Sequence, residues 1–470
     1  LSVTEADAQT QAVLALERVL GESSVNTQLE ALRAAERDES ETATVLPLAV
    51  VHARSTEDVA AALRVCNEWG VAVVPRAAGT GRTGGSAVIV PSVVLDLTPL
   101  RQVKELDRDD MIAVVQPGVI TGEFHALVER EGLFFPPDPQ SAEWCTLGGN
   151  AAENAGGPRA LKYGVTREYV LGAQVVLMDG TVLQTGRRTL KGVTGFDMTA
   201  LFVGSEGTLG VFTELTVKLI AAPSTVATLL ACFATAHAAG TAVSGLVRAG
   251  VTPRCAELLD AICCSAIREA QPTALPPNAR AVLLIELDGT EQAVQADCKT
   301  LGNLLTDLGA TEVLMAQDSS QRERLWSARK VMSRALRKRA NFKLSEDIVV
   351  PRSKLGAMLT EVARIGEREQ LVLPTYGHAG DGNLHVNVLW DSDSERPAVH
   401  RAVESLFRAT LALGGTLSGE HGIGVAKREY LALEQSDALI DAQLAVKYAL
   451  DPKGLLNPGK IFPSRGHRAC

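Results

Sequence analysis

The segment Gly79-Thr80-Gly81-Arg82-Thr83-Gly84-Gly85 follows a strand-like run at 71–74 and spells out GxGxxG. In a dinucleotide-binding βαβ unit the last glycine opens a helix whose N-terminus faces a pyrophosphate. Here the chain continues as Ser86-Ala87-Val88-Ile89-Val90-Pro91, which is strand-like, so a nicotinamide-binding Rossmann fold is rejected. No Lys-[Ser/Thr] pair closes this loop, as a nucleotide P-loop requires. What survives is a loop rich in backbone N–H groups, able to wrap a phosphate without a helix dipole. Alone, such a loop serves equally well as a structural turn. It is not alone. Pro136-Pro137-Asp138-Pro139, Leu147-Gly148-Gly149-Asn150 and Asn154-Ala155-Gly156-Gly157 form a second cluster, and Val203-Gly204-Ser205-Glu206-Gly207-Thr208-Leu209-Gly210 a third. Three such loops within about 130 residues suit a large, flat, diphosphate-bearing cofactor lying along the backbone.

At 470 residues the chain exceeds one small core, and two or more domains are expected. The net charge of -9 argues against a general nucleic-acid binder. An aromatic content of 4% leaves few stacking platforms for single strands. The eight cysteines include no CxxC and no CxxCH, which removes iron–sulfur runs, c-type haem and zinc ribbons. Scattered buried thiols in a reducing compartment are the expectation. No basic stretch with an apolar run opens the chain, so no signal peptide is visible. The chain starts at Leu1 without Met, as it would had upstream residues been removed. Residues 219–247 lack Asp, Glu, Lys and Arg and are long enough to span a bilayer. Pro223, His237, Gly240 and several Ser and Thr argue instead for a strand at 225–235 and a helix at 236–250.

Residues 1–45 read as helical around Val13, Leu14, Leu16, Val19 and Leu20. A helix is predicted from Ser55 to Gly70, with strands at 71–74, 88–97, 112–116, 173–178 and 211–220 and a turn at Asp179-Gly180 leading into 181–185. From about Ala222 the pattern alternates: strands at 281–287 and 311–316 around a helix at 292–309, a helix at 325–339, then 347–350, a helix at 353–367, a strand at 386–390 and a helix at 399–414. That pattern is an α+β layer of sheet and helices, without internal repeats.

Two segments near the C-terminus carry the chemistry: His378-Ala379-Gly380-Asp381-Gly382-Asn383-Leu384-His385-Val386-Asn387 and Gly419-Glu420-His421-Gly422-Ile423-Gly424. Neutral imidazoles with one carboxylate form a common site for a divalent metal with open positions. A further histidine beside it suits an acid or base near pH 7. His385 and Asn387, two apart on a strand, share one face. The spacing of His378 and His385 requires the Gly380-Asp381-Gly382 turn to bring them together. The bland alternative is that these histidines only satisfy buried polar groups.

Taken in order, Arg76-Ala77-Ala78-Gly79-Thr80-Gly81, Leu147-Gly148-Gly149-Asn150, Gly204-Ser205-Glu206-Gly207-Thr208-Leu209-Gly210, the His378 segment, Gly419-Glu420-His421-Gly422 and Asn457-Pro458-Gly459-Lys460 are similar to the FAD-dependent D-2-hydroxyacid dehydrogenases of the vanillyl-alcohol-oxidase (PCMH-type) superfamily. D-lactate dehydrogenase, D-2-hydroxyglutarate dehydrogenase and the glycolate oxidase catalytic subunit are members. The resemblance spans roughly residues 45–465. It implies an α+β fold: an N-terminal helical segment (1–45), a two-part FAD-binding domain (46–221), a cap with an antiparallel sheet (222–418) and a C-terminal segment (419–470) returning to the FAD domain. It places FAD against Pro75, Arg76, Ala78, Gly79, Thr80, Gly81, Gly84, Gly85, Pro137, Asp138, Gly148, Gly149, Asn150, Asn154, Gly156, Gly157, Gly204, Glu206, Gly207, Gly210, Val211 and Asn457. Thr80 stands where some relatives carry a FAD-linking histidine, so the FAD is expected to be non-covalent.

By the same resemblance His378, His385 and Glu420 hold a divalent metal, Zn2+ or Mn2+. His421 is the expected general base and Arg329 the carboxylate clamp; Asn387, on the face of His385, can reach the metal site, and Ser333, one helical turn from Arg329, should lie beside that arginine. The hydroxyglutarate enzymes carry a lysine six residues before the proline of an Asp-x-x-x-Pro motif. Counting back from Pro351 lands on Ser345, with Lys343 two residues early, and this favours a monocarboxylate, D-lactate first and glycolate second. Electrons are expected to leave to a separate quinone, cytochrome or electron-transfer flavoprotein. The resemblance further implies a homodimer that is cytoplasmic, mitochondrial in a eukaryote, and peripheral to a membrane where partners tether it. The competing readings are another flavoenzyme of the superfamily, a catalytically silent FAD-binding subunit and a colourless metal-dependent hydrolase.

Overall fold

The computed structural model describes residues 5–463. The chain forms two units. The first takes residues up to Ala155, Val165–Ala222 and the chain from Glu420 onward; the second takes Gly156–Gly164 and Pro223–Gly419.

In the first unit β1 (Val25–Asn26), β2 (Ala49–His52), β3 (Ala72–Arg76) and β4 (Ser92–Asp96) form a sheet in the order β1-β2-β4-β3, parallel except at β1. The helix Thr56–Trp69 makes the crossover from β2 to β3. It lies where the sequence predicts: the Ser55 hydroxyl accepts the Asp58 N–H at its start, and Gly70 closes it at φ 68. Its apolar face, with Val59, Leu63 and Cys66, packs on Val51, Val73 and Leu95. Seven more strands follow: β5 (Val103–Asp107), β6 (Ile112–Val115), β7 (Leu133–Phe134), β8 (Val170–Val176), β9 (Val182–Gly186), β10 (Val211–Lys218) and β11 (Ile220–Ala221). An antiparallel sheet runs β5-β6-β10-β8-β9, and β7 pairs with β11.

Several expectations are corrected. The N-terminal region is not helical throughout: the helix Glu5–Leu20 ends at Gly21, φ 84, and the chain then gives β1 and a second helix, Leu29–Ala35. The strand expected over 88–97 shrinks to β4, because Val88 is bound elsewhere, its N–H donating to Glu36 and its carbonyl accepting from Val45. The run expected over 211–220 splits between two sheets at Leu219. The glycine cluster at 147–150 is the first turn of a helix, Leu147–Glu153, capped by Thr146.

The second unit is built on one antiparallel sheet: β12 (Thr225–Phe233), β13 (Cys255–Leu259), β14 (Ala281–Gly289), β15 (Glu312–Met315), β16 (Phe342–Val349), β17 (Thr375–Gly377) and β18 (Asn383–Trp390), in the order β15-β12-β14-β13-β17-β18-β16. The helix Ala236–Arg248 follows β12, so residues 219–247 are strand and helix; no helix among the described residues is long and apolar enough to cross a membrane. The helix expected over 325–339 breaks at Val331 into Ser319–Lys330 and Met332–Arg337. Both pieces pack, with Ala261–Ala270, on Leu259, Val282, Leu284 and Tyr376 of one sheet face. The seven cysteines among the described residues are free thiols, six of them buried; Cys470 lies outside those residues.

The C-terminal segment of the first unit is pinned by a buried lysine. Lys447, on the helix Asp437–Leu450, donates to the Thr208 and Leu456 carbonyls at 2.7 and 2.8 Å and to Asp451 at 2.5 Å. All three ammonium hydrogens are used, and Asp451 in turn accepts the Leu456 N–H at 2.8 Å. The chain after Asp451 is thereby laid beside β3, where Val73 bonds Leu455 and Asn457. Lys447→Met should leave Asp451 buried without its counter-charge and destabilise the protein by about 3 kcal/mol. A lowered urea midpoint would show this, and an unchanged one would refute the role.

Candidate functional site

The first unit gathers its glycine-rich segments around one asparagine. Asn457, φ 46, donates its side-chain amide to the Gly85 carbonyl at 2.9 Å and the Glu206 carbonyl at 2.8 Å, while its backbone N–H bonds Val73. Gly85 ends the GxGxxG loop and Glu206 lies in the Gly204–Gly210 run, so one side chain joins two of the clusters. None of the backbone N–H groups of 79–85 donates to an acceptor within this unit among the described residues. No helix opens between β3 and β4, in keeping with the rejection of a Rossmann turn. Gly79 sits at φ 67 over the half-buried Arg76, and a Cβ there would overlap the guanidinium. Burial pushes the Arg76 pKa down, against the pull of Asp38 and Asp96.

Glu206, itself at φ 52, accepts the Ile423 and Gly424 N–H groups at 2.8 and 2.7 Å. It thus ties the residues after His421 to the third cluster. Burial raises its carboxyl despite those bonds. Glu153 is raised well above the usual range by burial and by the neighbouring Glu206 and Asp38. The Ser205 hydroxyl, the Asn457 side-chain oxygen and one Glu153 oxygen are buried with no hydrogen-bond partner among the described residues. Free loop N–H groups and orphaned polar atoms lining small residues fit a diphosphate-bearing cofactor.

Other residues expected against FAD also have partners in the fold. Asn150 donates to Thr121 at 2.8 Å, and Asn154 caps its helix at φ 54 while accepting the Arg167 N–H. Val211 lies in the core, the Pro137 carbonyl meets His125 at 2.8 Å, and Gly156 and Gly157 belong to the second unit.

The second unit assembles a polar row on one sheet face. Asp347 stands opposite His385, and Ser345 opposite Asn387, across the β16–β18 pair. Facing residues of an antiparallel pair share a side of the sheet. His378 follows β17, and the turn through Gly382, φ 95, brings its ring to 5.2 Å from that of His385, edge to face. Behind His378 lies Glu257 of β13, 2.6 Å from Nδ1. Glu257 also accepts Arg329 Nε at 2.7 Å. Burial would raise the Glu257 carboxyl, but His378 and Arg329 outweigh it and hold it below the usual carboxylate range. Arg329 is 2% exposed, with its guanidinium carbon 4.6 Å from the Tyr376 ring centre. Its two terminal nitrogens meet no hydrogen-bond partner among the described residues. Ser333 lies beyond the break at Val331, where it accepts from Lys343 Nζ at 2.7 Å. Asp347 accepts from Asn383 at 2.5 Å, Ser418 at 3.1 Å and the Gly419 N–H at 2.8 Å. Glu420 and His421, the next two residues, belong to the first unit, where Thr83 donates to the His421 carbonyl at 2.9 Å. Paired imidazoles, each with a carboxylate behind or beside it, are a donor set that suits a divalent ion.

Residues 222–461 match the family described as FAD linked oxidases, C-terminal domain, and residues 47–186 match the FAD binding domain. Glycolate oxidase subunit GlcD of Bacillus subtilis is 41% identical over 89% of both chains. D-lactate dehydrogenase of Anaerostipes hadrus is 32% identical over 88% of this chain and 89% of its own. The chain belongs to the FAD-linked oxidases. The solved structure of p-cresol methylhydroxylase with substrate bound shares the fold of this FAD-linked oxidase, with a TM-score of 0.81 over 98% of both chains at 18% identity.

Sequence reasoning about this FAD-linked oxidase missed Glu257 as a site residue and took Asp347 only as part of a motif. A lone carboxylate inside the apolar strand Cys-Ala-Glu-Leu-Leu was the available signal for Glu257. Asn457→Ala should lower FAD affinity at least tenfold, about 1.4 kcal/mol, by uncoupling the two loops. Flavin content and the affinity of the apoprotein for added FAD measure this, and wild-type affinity would remove Asn457 from the cradle.

Proposed function

We propose that this protein oxidises a short 2-hydroxymonocarboxylate, D-lactate or glycolate, to the 2-oxoacid and passes the electrons to a separate acceptor. The observation that carries the reading is the Arg329 guanidinium, buried and bound through Nε, with two terminal nitrogens open. Two N–H groups on a planar cation match a carboxylate. The adjoining His378–His385 pair gives the same substrate a place for its hydroxyl. Arg329 fixes the carboxylate and Asn387, whose side-chain oxygen is buried and unspent among the described residues, accepts from the substrate hydroxyl. His421 takes the hydroxyl proton. His378, His385 and Glu420 would hold a zinc or manganese ion. FAD, held non-covalently, supplies a two-electron acceptor when bound, and the metal a Lewis acid.

The names of the relatives favour glycolate as much as D-lactate. Ser345 at the position of a distal-carboxylate lysine, and Lys343 engaged with Ser333, favour both over a dicarboxylate. Anaerobic mixing with D-lactate, L-lactate, glycolate and D-2-hydroxyglutarate, with and without chelator, tests the proposal by bleaching of the oxidised-flavin band. Bleaching by glycolate or D-lactate that chelator abolishes is expected. A yellow protein bleached by none of the four would overturn the reading in favour of a silent subunit. Arg329→Met should retain flavin and lower kcat/KM at least 100-fold, a loss of about 3 kcal/mol.

A further inference from the structure

Glu257 lies in none of the motifs that point to the chemistry, yet it holds two of the residues that carry it. One carboxylate oxygen is 2.6 Å from His378 Nδ1 and the other 2.7 Å from Arg329 Nε, with the side chain fully buried. We propose that Glu257 is a positioning residue that sets the tautomer of His378 and the aim of Arg329 together, so that one carboxylate aligns the metal-holding imidazole with the substrate-holding guanidinium. The inference rests on the roles proposed above for His378 and Arg329.

Arginine keeps its charge in any protein environment, and a buried guanidinium requires a counter-ion. Glu257 is that counter-ion and has no proton to give. The hydrogen bond to His378 therefore runs from Nδ1–H to the carboxylate, which leaves the lone pair on Nε2. An imidazole held this way presents a single nitrogen to a cation, in a fixed ring orientation. The other oxygen engages Arg329 through Nε and not through the terminal nitrogens, so the two-pronged end stays available for a carboxylate.

A neighbouring carboxylate separates this task from plain anchoring. Glu286 stands on the same sheet face, opposite Cys255 across the β13–β14 pair. It accepts Arg322 Nε at 2.9 Å, Trp326 Nε1 at 2.6 Å and the Thr228 hydroxyl at 2.9 Å. Arg322 and Arg329 are seven residues apart, two turns along the helix Ser319–Lys330. Both carboxylates thus tether the same helix, while the bond to His378 is made by Glu257. Anchoring alone would make the two interchangeable in their effects; alignment would not.

The test compares FAD-loaded wild type, Glu257→Gln and Glu286→Gln. Zinc affinity is read by competition with a chromogenic chelator, and oxalate affinity by titration of the flavin spectrum. A glutamine at 257 offers one acceptor in place of two and turns an N–H donor toward either His378 or Arg329. Zinc affinity should fall 10- to 100-fold and oxalate affinity at least tenfold, with flavin content unchanged. Glu286→Gln should lower the melting temperature and leave both affinities within twofold of wild type. Wild-type affinities in Glu257→Gln, or parallel losses in Glu286→Gln, would overturn the proposal. A wild type that takes up no zinc would sink the metal reading, and the oxalate titration would then decide alone: weakened binding in Glu257→Gln supports the alignment of Arg329, and unchanged binding overturns it. Should Glu257→Gln fail to fold, histidine-selective 15N labelling of the wild type, with His378 identified by its absence in His378→Asn, decides the tautomer. A proton on Nδ1 is expected, and one on Nε2 would refute the assignment.

Discussion

A carboxylate fully removed from water must find enough positive charge or enough N–H groups to replace its hydration, and the polar row of the second unit is arranged around two such groups. Glu257 finds a guanidinium and an imidazole. Asp347 finds an asparagine amide, a hydroxyl and the Gly419 backbone N–H. Each solution fixes geometry as a by-product. Because Glu257 needs both partners, His378 and Arg329 cannot move independently of β13 or of each other. Because Asp347 binds Gly419 from a strand, the chain leaves the second unit from a fixed point instead of a loose loop. The residues proposed to carry the chemistry are thus held by the electrostatic needs of buried acids outside that set.

The first unit meets a different constraint. Its glycine-rich segments are built of small residues and left-handed conformations, as the proposed approach of backbone to a cofactor demands, and such segments have little apolar surface with which to hold themselves in place. Side-chain hydrogen bonds supply the missing order. Asn457 joins Gly85 to Glu206, Glu206 holds Ile423 and Gly424, and Lys447 fixes the loop that delivers Asn457. The C-terminal segment therefore acts as a clasp on loops hundreds of residues earlier in the chain. The clasp offsets the backbone cost of an asparagine at φ 46 and a glutamate at φ 52, whose side chains make its bonds.

What the sequence made legible were features with local causes. The helix from Ser55 to Gly70 is bounded by a hydroxyl cap and a left-handed glycine, both readable residue by residue. The strand-like continuation after Gly85 excluded a Rossmann turn, and the chain there opens no helix. The glycine turn between His378 and His385 follows from their odd spacing, and the rings do meet. What escaped had distant causes. Leu147–Glu153 is a helix although two glycines open it, because Thr146 caps it and Pro117 packs where a Cβ at Gly148 would stand. The break at Val331 carries Ser333 to Lys343, a partner on another element.

Glu257 is the instructive omission. A motif search looks for chemically versatile residues set among glycines, and His378 and Glu420 answer to that description. Glu257 sits in an apolar strand, where periodicity says core and a carboxylate looks like an exception. Read physically, the exception is the signal. A glutamate inside such a strand costs several kcal/mol unless other elements bring charge to it, so its presence in the sequence announces that a cation and a donor converge there. In this chain the cation is Arg329, which a helix rule taken alone would leave solvated, and the donor is His378. The buried acid thus changes the expectation for both residues at once, and no motif around either of them does so.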